Sequence, residues 1–567
     1  MRRPPFDPAS RLTSPTHPPA PPMTNPEIAR HFSALAKLME LHQDNPFKIR
    51  SYNAAYNKLR KMDEPLGDKT EEELREIDGV GKAIAAKIHE LTTTGRMATL
   101  EAWRAKTPPG VQEMLTVRGF GPKKVKAVWD GLGVTTVGQL LYAINENRLV
   151  ELKGFGEKTQ ATLREKLEFH QRSRGQFLFR TLDRVADALL PALRAAFPDA
   201  RFARSGALRR CCPTLSRIDL VTTLAPASAP TSDVFENLRQ EEGVSHATVD
   251  GYPVRLYHCT AQNFGSKQFR RTGSAAFLEA FVAAFPDRDF QDLATEAEVF
   301  ARAGCHPIPP ELREDDRWIP AARNGQLPRL IEPDDVRGVV HTHSTYSDGI
   351  HSVRQMAEAA RDRGYAYLVM SDHSKTAVYA GGLSVDRVRQ QWAEIDALNE
   401  ELAPFRIYKS IESDILADGS LDYPAEVLAG FDLVIASVHS GLNMDEERAT
   451  ERLLTAVRNP YTTVLGHPTG RLLLSRAGYP LDHKRIIDAC AEHGVAIELN
   501  ANPYRLDLDW TWIPYAVERG VPVSINPDAH ATGGIDDIHY GVLAARKGGL
   551  TAADCWNATD ELPAARR

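Results

Sequence analysis

Residues 336–344 read Val-Arg-Gly-Val-Val-His-Thr-His-Ser, an apolar run that ends in the two histidines His341 and His343. Side chains two residues apart in a strand point to the same face, so both imidazoles would lie on one side of a strand end. Four further apolar runs also end in a histidine, and they cover residues 367–373, 433–439, 464–467 and 523–530. Helical stretches separate these runs, so we expect parallel strands with crossover helices that close into a distorted TIM-like barrel.

Side chains of metal-ligand type stand in these buried runs or directly after them. They are His341, His343, Asp348, His373, Glu412, His439, His467, Asp528 and His530. Each histidine alone also fits an ordinary core or surface position, but repeated placement at strand ends predicts one metal centre at the carboxyl-terminal rim of the barrel. Mixed imidazole and carboxylate ligands suit Zn²⁺, Mn²⁺ or Fe²⁺. We therefore expect a polynuclear metal hydrolase in the last third of the chain.

The length and composition indicate a multidomain protein without a membrane segment. A chain of 567 residues predicts three or four domains, since one domain usually holds about 100 to 200 residues. The composition, with 42% hydrophobic and 25% charged residues, is that of a globular protein, and no apolar run approaches the roughly 20 residues of a membrane span. The six cysteines show no Cys-x-x-Cys spacing and no secretory signal precedes them. These features favour a cytoplasmic protein with reduced thiols.

The net charge of −6 is unevenly distributed along the chain. Residues 23–180 carry a net charge of +6, whereas residues 181–567 carry −14. A basic module joined to an acidic metal domain suits the binding of a polyanion. Solvated faces of surface helices explain the same positive charge equally well, so charge alone leaves both interpretations open.

A short motif occurs three times between about residues 70 and 170. Residues 77–82, 117–123 and 152–158 each place an apolar residue between two glycines, after one amphipathic stretch and before another. The glycines allow a tight turn and a close approach of a ligand, while the first N–H groups of the following helix favour a phosphate oxygen. The residues that we expect to contact DNA phosphates are Gly79, Gly81, Lys82, Gly119, Gly121, Lys123, Gly154, Gly156 and Lys158. One copy could be a plain helical hairpin, but three copies with lysines favour binding to the DNA backbone without sequence preference.

This repeat is the helix-hairpin-helix signature, and the segment after it resembles the palm of family X DNA polymerases. The resemblance rests on the stretches Ser205-Gly206-Ala207-Leu208-Arg209-Arg210, Arg217-Ile218-Asp219-Leu220-Val221, Val254-Arg255-Leu256 and Arg271-Thr272-Gly273-Ser274. The metal-ligand pattern downstream resembles a PHP domain, a name taken from polymerase and histidinol phosphatase. Hairpins, palm and PHP domain occur in this order in bacterial family X polymerases with a C-terminal PHP exonuclease. The resemblance therefore implies a nucleotidyltransferase-like palm and thumb between the hairpins and the barrel.

The palm departs from the family pattern at its catalytic carboxylates. Palms of this family hold two Mg²⁺ ions with three aspartates, but Arg217 and Arg255 stand at the first and third positions and only Asp219 remains. Two guanidinium groups in such a site repel divalent ions. We therefore expect a palm that binds phosphates and does not catalyse nucleotide transfer, with Arg209 and Arg210 as candidate contacts. A surviving gap-filling polymerase, which would need Mg²⁺ or Mn²⁺ and a dNTP, is the alternative.

The resemblance implies roles for further residues. A PHP domain implies three metal ions, with Glu412 as a bridge, and hydrolysis of DNA in the 3′ to 5′ direction. Arg471 and Arg505 would then hold the cleaved phosphate or its neighbour, with an ion pair at the rim as the alternative for each. Lys87 stands where the lyase domain of eukaryotic DNA polymerase beta has its Schiff-base lysine, although a solvent-facing helix lysine is the simpler explanation.

These features predict a multidomain protein that combines α+β and α/β domains. The expected divisions are a disordered proline-rich tail at 1–22, a helix-hairpin-helix DNA-binding domain at 23–105, fingers with two further hairpins at 106–175, palm and thumb at 176–300, a linker at 301–334 and a (β/α)7 PHP barrel at 335–567. Met23 is a second candidate start of translation, and the length of the linker would permit large rearrangements between domains.

Three functions are compatible with this sequence. We favour a repair exonuclease whose hairpins and palm hold gapped, nicked or damaged DNA while the barrel trims a 3′ end. A gap-filling polymerase with PHP proofreading and a small-molecule phosphoesterase are the alternatives. In the favoured case the protein would be a monomer in the bacterial cytoplasm, associated with the nucleoid and with no membrane partner.

Overall fold

The computed structural model describes residues 23–145, 149, 152–173, 175–231, 234–474 and 477–563. The tail at 1–22, expected to be disordered, lies outside these residues. The chain divides after Gln171 into two compact units, a helical one and a larger one that mixes helices and strands. Among the described residues, no helix combines the length and the apolar character that crossing a membrane requires.

The first unit is built from short helices around a continuous apolar core. They are α1 (Asn25–Leu41), α2 (Pro46–Leu59), α3 (Glu71–Glu76), α4 (Lys82–Thr94), α5 (Ala98–Ala105), α6 (Pro109–Met114), α7 (Pro122–Leu132), α8 (Val137–Asn145) and α9 (Glu157–Ser173). Side-chain caps set several helix starts; at α3, for example, Thr70 and Glu73 each accept a hydrogen bond from the backbone N–H of the other. The helical character expected for this part of the chain is confirmed.

The three glycine motifs all form the tight turn that their sequence predicts. Gly79, Gly119 and Gly154 have φ angles of +73°, +78° and +92°, in the left-handed region that glycine enters without steric cost. Each of the helices α4, α7 and α9 begins at the residue directly after the second glycine of a motif. The backbone N–H groups at these helix starts are therefore placed next to an open glycine turn.

The second unit begins with a five-stranded sheet, a separate two-stranded sheet and their helices. Their bounds are β1 (Phe177–Leu178), α10 (Phe179–Ala196), β2 (Phe202–Ser205), α11 (Gly206–Arg209), β3 (Thr214–Leu215), β4 (Ile218–Thr222), β5 (Glu236–Glu241), β6 (Val244–Val249), β7 (Tyr252–His258), α12 (Phe264–Thr272), α13 (Ala275–Ala284), α14 (Glu296–Ala303) and α15 (Ile319–Asn324). The order of the five-stranded sheet is β2-β4-β7-β6-β5, in which only β4 and β7 pair in parallel, and β1 and β3 form the separate antiparallel pair. The parallel pair sets Asp219 opposite Arg255.

Residues 301–334 differ from the expected linker because they are folded against their neighbours. Ile308, Leu312 and Leu330 are buried in the same apolar cluster as the phenylalanines of α12 and α13. Further on, Glu314 forms ion pairs with Arg210 of the palm and with Lys547 of the barrel. Prolines and charges made this stretch look open in the sequence, but its widely spaced apolar side chains are enough to fix it.

The rest of the second unit is a barrel of parallel strands with helices between them. Its elements are β8 (Gly338–Thr342), α16 (Val353–Asp362), β9 (Tyr367–Met370), α17 (Val385–Glu401), β10 (Arg406–Asp414), α18 (Ala425–Leu428), β11 (Leu433–Ser437), α19 (Glu446–Val457), β12 (Val464–Leu465), α20 (His483–His493), β13 (Ala496–Asn500), α21 (Ile513–Glu518), β14 (Val523–Asn526) and α22 (Ile538–Lys547). The strands pair in chain order, and a parallel bridge between Thr342 and Ala529 nearly closes the barrel. The predicted TIM-like barrel is confirmed.

Candidate metal centre

The metal-ligand side chains meet at the carboxyl-terminal rim of the barrel. They fall into four overlapping groups, in each of which the ligand atoms lie within 4.8 Å of one another. The groups are His343, Asp348, His373 and His530; His341, Glu412 and His467; His341, His343 and Asp528; and His373, Glu412 and His439. All nine residues predicted from the sequence belong to at least one group, and they come together because every parallel strand ends at the same rim.

The backbone is strained at three of these positions. His341, His467 and Asp528 have φ angles of +65°, +20° and +51°, values that residues with a side chain rarely adopt. Such conformations persist only where the surrounding structure imposes them, and they are concentrated at functional sites. Burial is also nearly complete for the inner ligands, since His341 and His343 have no exposed surface and Glu412 is 1% exposed, whereas the Asp348 and His530 side chains are 31% and 40% exposed.

Several buried ligand atoms of the centre lack a hydrogen-bond partner among the residues that the structure describes, as expected of atoms that bind divalent cations. Within the described residues, Nδ1 of His343, Nδ1 of His467 and Oε2 of Glu412 are buried without a hydrogen bond. Oε2 of Glu412 lies 2.9 Å from Nδ1 of His373 and yet accepts no hydrogen bond in the described part of the chain. Buried polar atoms are almost always hydrogen-bonded, so this cluster indicates a site shaped for ions.

The electrostatics of Glu412 and His343 point in the same direction. Burial would raise the pKa of Glu412, but His439, His341 and His373 outweigh it and hold the pKa well below its usual range. Burial lowers the pKa of His343 to about 4, with His530 and His373 adding to the effect, so its imidazole is neutral and able to act as a ligand. The centre therefore keeps its carboxylates ionised and offers His343 as a neutral donor.

Two buried carboxylates that the sequence analysis missed hold the histidines in place. Oε1 of Glu498, on β13, accepts a hydrogen bond of 2.6 Å from Nδ1 of His341, and Oε2 accepts one of 2.5 Å from the backbone N–H of His467. Oδ1 of Asp414, on β10, accepts a bond of 2.5 Å from Nδ1 of His439. Such partners fix the tautomer and the orientation of a ligating imidazole. The signal was present for Glu498, since β13 is otherwise mostly apolar, but Asp414 ends a strand of mostly polar residues.

The two arginines predicted near the centre have different surroundings. Arg471 is engaged: Nη1 lies 2.6 Å from Oδ2 of Asp509, and the guanidinium also donates to the carbonyl oxygens of Arg505 and Leu506. Arg505 has Nε 3.5 Å from Oδ2 of Asp528, and its Nη1 is buried without a hydrogen bond within the described residues. Arg471 thus forms an ion pair at the rim, which was the alternative to phosphate binding. Arg505 has a hydrogen-bond donor, unused by any described residue, at the edge of the metal-ligand cluster.

In the palm, the single remaining carboxylate is already paired. Oδ1 of Asp219 accepts a hydrogen bond of 2.9 Å from Nε of Arg217. The other two arginines predicted to contact phosphate are also paired, Arg209 with Glu296 at 2.6 Å and Arg210 with Glu314 at 2.8 Å. These ion pairs tie α11 to the helices and loops that follow the sheet.

The hairpin turns of the first unit present open backbone and lysines. A side chain placed at Gly81, Gly121, Gly154 or Gly156 would meet nothing within 4 Å, so a ligand can reach the backbone there. At Gly119 the ammonium group of Lys166 lies 2.7 Å from the place where a Cβ would stand. A cavity of about 270 Å³ beside it is lined by residues that include Lys124, Lys158 and Lys166.

The remaining hairpin lysines lie close to the helix starts. Lys82 is the first residue of α4 and Lys123 the second residue of α7. Lys87 is half-buried on α4, in the same helix as Lys82. Lys166 was not predicted from the sequence, because it lies far along α9 and reaches the second motif only through the fold.

Comparison with known proteins agrees with both units. Residues 23–97 match a family model described as a helix-hairpin-helix domain, and residues 111–168 match a SAM-like helix-hairpin-helix tandem. The DNA polymerase/3′-5′ exonuclease PolX of Bacillus subtilis (strain 168) is 34% identical over 560 residues, which cover 94% of this chain and 98% of that protein. A probable phosphatase of Thermoanaerobacter sp. (strain X514) is 27% identical over 222 residues, covering 37% of this chain and 86% of that protein. The hairpin domains imply that the protein binds DNA. Because the likeness to the Bacillus protein spans almost the whole of both chains, this chain belongs to the PolX family.

Proposed function

We propose that this protein is a metal-dependent 3′–5′ DNA exonuclease of DNA repair, in which the PHP barrel cuts while the hairpins and the palm hold gapped or damaged DNA. The observation that carries the proposal is a contrast between two sites. The barrel gathers nine ligand-type side chains into four overlapping groups, whereas the palm keeps one carboxylate, and an arginine already pairs with it. A cation site is supported in the barrel and opposed in the palm.

The resemblance to PHP domains implies three divalent ions in the metal-ligand cluster, and Zn²⁺ or Mn²⁺ would match its mixed imidazole and carboxylate ligands. Glu412 belongs to two of the groups, which makes it the candidate bridge between ions. Ions held there would lower the pKa of water and neutralise charge on the phosphoryl oxygens of a substrate. Glu498 and Asp414 would keep His341 and His439 turned toward the ions.

The DNA would be held by groups outside the cluster. Arg505 is the residue best suited to bind the phosphate of the cleaved phosphodiester. It lies next to Asp528, and its Nη1 makes no hydrogen bond within the described residues. The open hairpin turns with Lys82, Lys123 and Lys158 would hold other phosphates of the DNA backbone. Because these contacts neutralise phosphates without reading bases, affinity should fall steeply with salt and depend little on sequence.

The test is to separate cutting from binding. His341→Ala and Asp528→Ala, in the full-length protein, should abolish release of nucleotides from a 3′-labelled oligomer and lower the bound metal measured by elemental analysis. Binding of a gapped duplex should stay within about twofold of the wild type, since the hairpins are untouched. His351 lies near the same rim but belongs to none of the ligand groups, so His351→Ala is the matched control. Full cleavage by chelator-treated protein would refute the proposal.

Two other functions have a specific observation in their favour. The Bacillus relative is named a polymerase as well as an exonuclease, so gap filling has to be tested by primer extension with Mg²⁺ and with Mn²⁺. We expect no extension, because Arg217 and Arg255 occupy the metal positions. The probable phosphatases among the relatives favour a small-molecule phosphoesterase, and a chromogenic phosphate ester compared with a DNA oligomer distinguishes that activity.

The remaining proposals concern setting and secondary activity. We place the protein in the bacterial cytoplasm at the nucleoid, acting as a monomer, with domains divided at the positions predicted from the sequence except at residues 301–334, which pack against their neighbours. Lys87 is the candidate nucleophile for a lyase activity. Borohydride trapping on abasic-site DNA, with Lys87→Ala as the comparison, would test it.

A further inference from the structure

An open cleft of about 460 Å³ lies on the palm sheet where the family pattern would place divalent metals. Its wall is formed by Arg255 and Tyr257 of β7, by His246 of β6 and by Arg271 of α12. Arg255 stands opposite Asp219 in the parallel register of β4 and β7, so the cleft adjoins the remaining carboxylate. The metal positions have therefore become part of a wall that carries guanidinium groups.

The two arginines of this wall keep hydrogen-bond donors unused. Nε of Arg255 is buried and makes no hydrogen bond within the described residues, while its Nη1 lies 3.3 Å from the hydroxyl oxygen of Tyr257. The guanidinium of Arg271 lies over the Tyr257 ring, 4.2 Å from its centre. Among the described residues Arg271 forms no hydrogen bond or ion pair, so its donors face no protein acceptor. Stacking on an aromatic ring leaves the edge of a guanidinium free to bind an anion.

The carboxylates near the cleft do not cancel these charges. Asp219 is already paired with Arg217 at 2.9 Å. Glu241 and Glu242 lie at the turn between β5 and β6, where the Glu241 side chain is 75% exposed and 3.6 Å from His246. Arg255 is half-buried, whereas Arg271 is exposed like the two glutamates, so water and salt weaken the charge of Arg255 least. The inner wall of the cleft at Arg255 is therefore cationic, and Arg271 and the two glutamates lie toward solvent.

We propose that this cleft is a phosphate site, in which Arg255 and Arg271 bind a phosphate group of DNA at the margin of a gap or nick. Planar guanidinium groups bind phosphate oxygens in pairs, and the two arginines, brought together on Tyr257, form such a site. A free nucleotide polyphosphate offers the same chemistry and is the second source to be tested. The inference rests on the proposed DNA-holding role of the palm, but it is independent of the nuclease.

The experiment compares duplexes with a one-nucleotide gap that carry either a phosphate or a hydroxyl at the 5′ margin. Full-length protein in EDTA is titrated by fluorescence anisotropy, so that no hydrolysis occurs. We expect the phosphate to tighten binding by about tenfold in the wild type and by less than about twofold in the Arg255→Gln/Arg271→Gln variant. Arg239→Gln, an exposed arginine on β5 outside the cleft, is the matched control and should keep the full preference.

Competition with dTTP and with inorganic tripolyphosphate identifies the source of the phosphate. If either compound displaces DNA from the wild type but not from the double variant, the site takes a polyphosphate, and the phosphate assignment stands. If the gap phosphate and both competitors act alike on wild type and variant, the proposal is overturned. Arg255→Lys, which keeps the charge and loses the planar fork, should give an intermediate preference.

A folding defect and a failure of the proposed nuclease are recognised separately. The double variant should keep the wild-type thermal midpoint and should degrade a short single-stranded oligomer at the wild-type rate when metal is supplied. If the double variant loses the preference for a 5′-phosphate but degrades the oligomer normally, the result supports the site. If it keeps this preference and degrades the oligomer normally, the site is refuted, whatever the outcome of the metal-centre variants.

Discussion

Replacing the buried carboxylate of Glu498 by an amide tests whether the metal centre depends on residues that touch no ion. Glu498 accepts four hydrogen bonds, two at each oxygen of its carboxylate. Oε1 accepts from Nδ1 of His341 at 2.6 Å and from Nδ2 of Asn526 at 2.8 Å, while Oε2 accepts from the backbone N–H of His467 at 2.5 Å and from Nδ2 of Asn500 at 3.3 Å. In Glu498→Gln, the amide nitrogen must face one of these pairs of donors.

The size of the effect follows from those contacts. A buried donor without an acceptor costs about 1 to 3 kcal/mol, so the metal-free variant should lose roughly 2 to 4 kcal/mol of unfolding free energy after relaxation. Loss of such a supporting partner usually weakens metal binding by about 10- to 100-fold, which corresponds to about 1.4 to 2.8 kcal/mol. His341 then loses the partner that keeps its Nε2 directed toward the metal-ligand cluster.

The assay measures exonuclease rate against the concentration of free Zn²⁺ or Mn²⁺ in a chelator buffer. We expect the half-saturating concentration to rise by about 10- to 100-fold in Glu498→Gln, with most of the rate recovered at saturation. Glu492→Gln, an exposed change of the same chemistry on α20, is the control and should leave the curve in place. The reasoning fails if the half-saturating concentration stays within about twofold of the wild type. It also fails if no metal concentration restores the rate, because Glu498 would then act on substrate directly.

Two further predictions concern the rim and the contact between palm and barrel. The Tyr504 ring is 55% exposed on the loop after β13, next to Arg505, so Tyr504→Ala should raise the KM for oligonucleotides about tenfold through lost base stacking, leaving hydrolysis of a chromogenic ester unchanged. Equal effects on both substrates would contradict this role. Burial raises the pKa of Asp537 to about 6, although Arg180 lies 3.1 Å away. The folded protein therefore holds a proton that the unfolded chain releases near the ordinary aspartate pKa of 3.8, so stability falls as pH rises between these values. In chemical unfolding, the free energy of unfolding of Asp537→Asn relative to that of the wild type should rise by up to about 3 kcal/mol between pH 4 and pH 7. A difference that stays constant over this pH range would refute the prediction.

The strand-end ligands could be predicted from the sequence because their signal is local. Each of the runs that end at His341, His439 and His467 carries its own apolar pattern, and parallel strands bring such ends together without further information. The glycine turns at Gly79 and Gly119 were predictable for the same reason, since the turn is encoded within a few residues.

The supporting contacts could not be predicted, because they join residues far apart in the chain. Glu498 meets His341 across 157 positions, and Arg209 meets Glu296 across 87. Nothing in the local sequence of Arg471 distinguishes an ion pair with Asp509 from a free phosphate contact. The prediction of a linker at 301–334 differed from the structure for another reason. The buried apolar residues of this stretch follow no helical or strand period, and its prolines suggest an open chain.

The ammonium group of Lys547 limits how the protein can be dissected. It is 1% exposed, at the end of α22, and it donates to the carbonyl oxygen of Arg210 at 3.1 Å and to the carboxylate of Glu314. A shortened protein that starts near residue 335 would remove both acceptors, and it would also expose the apolar side chains of the barrel that pack in one cluster with Phe179, Leu182 and Leu215. Expression of the barrel by itself should therefore yield aggregates or an inactive fragment. A cut near residue 171, between the two compact units, is the place to divide the gene.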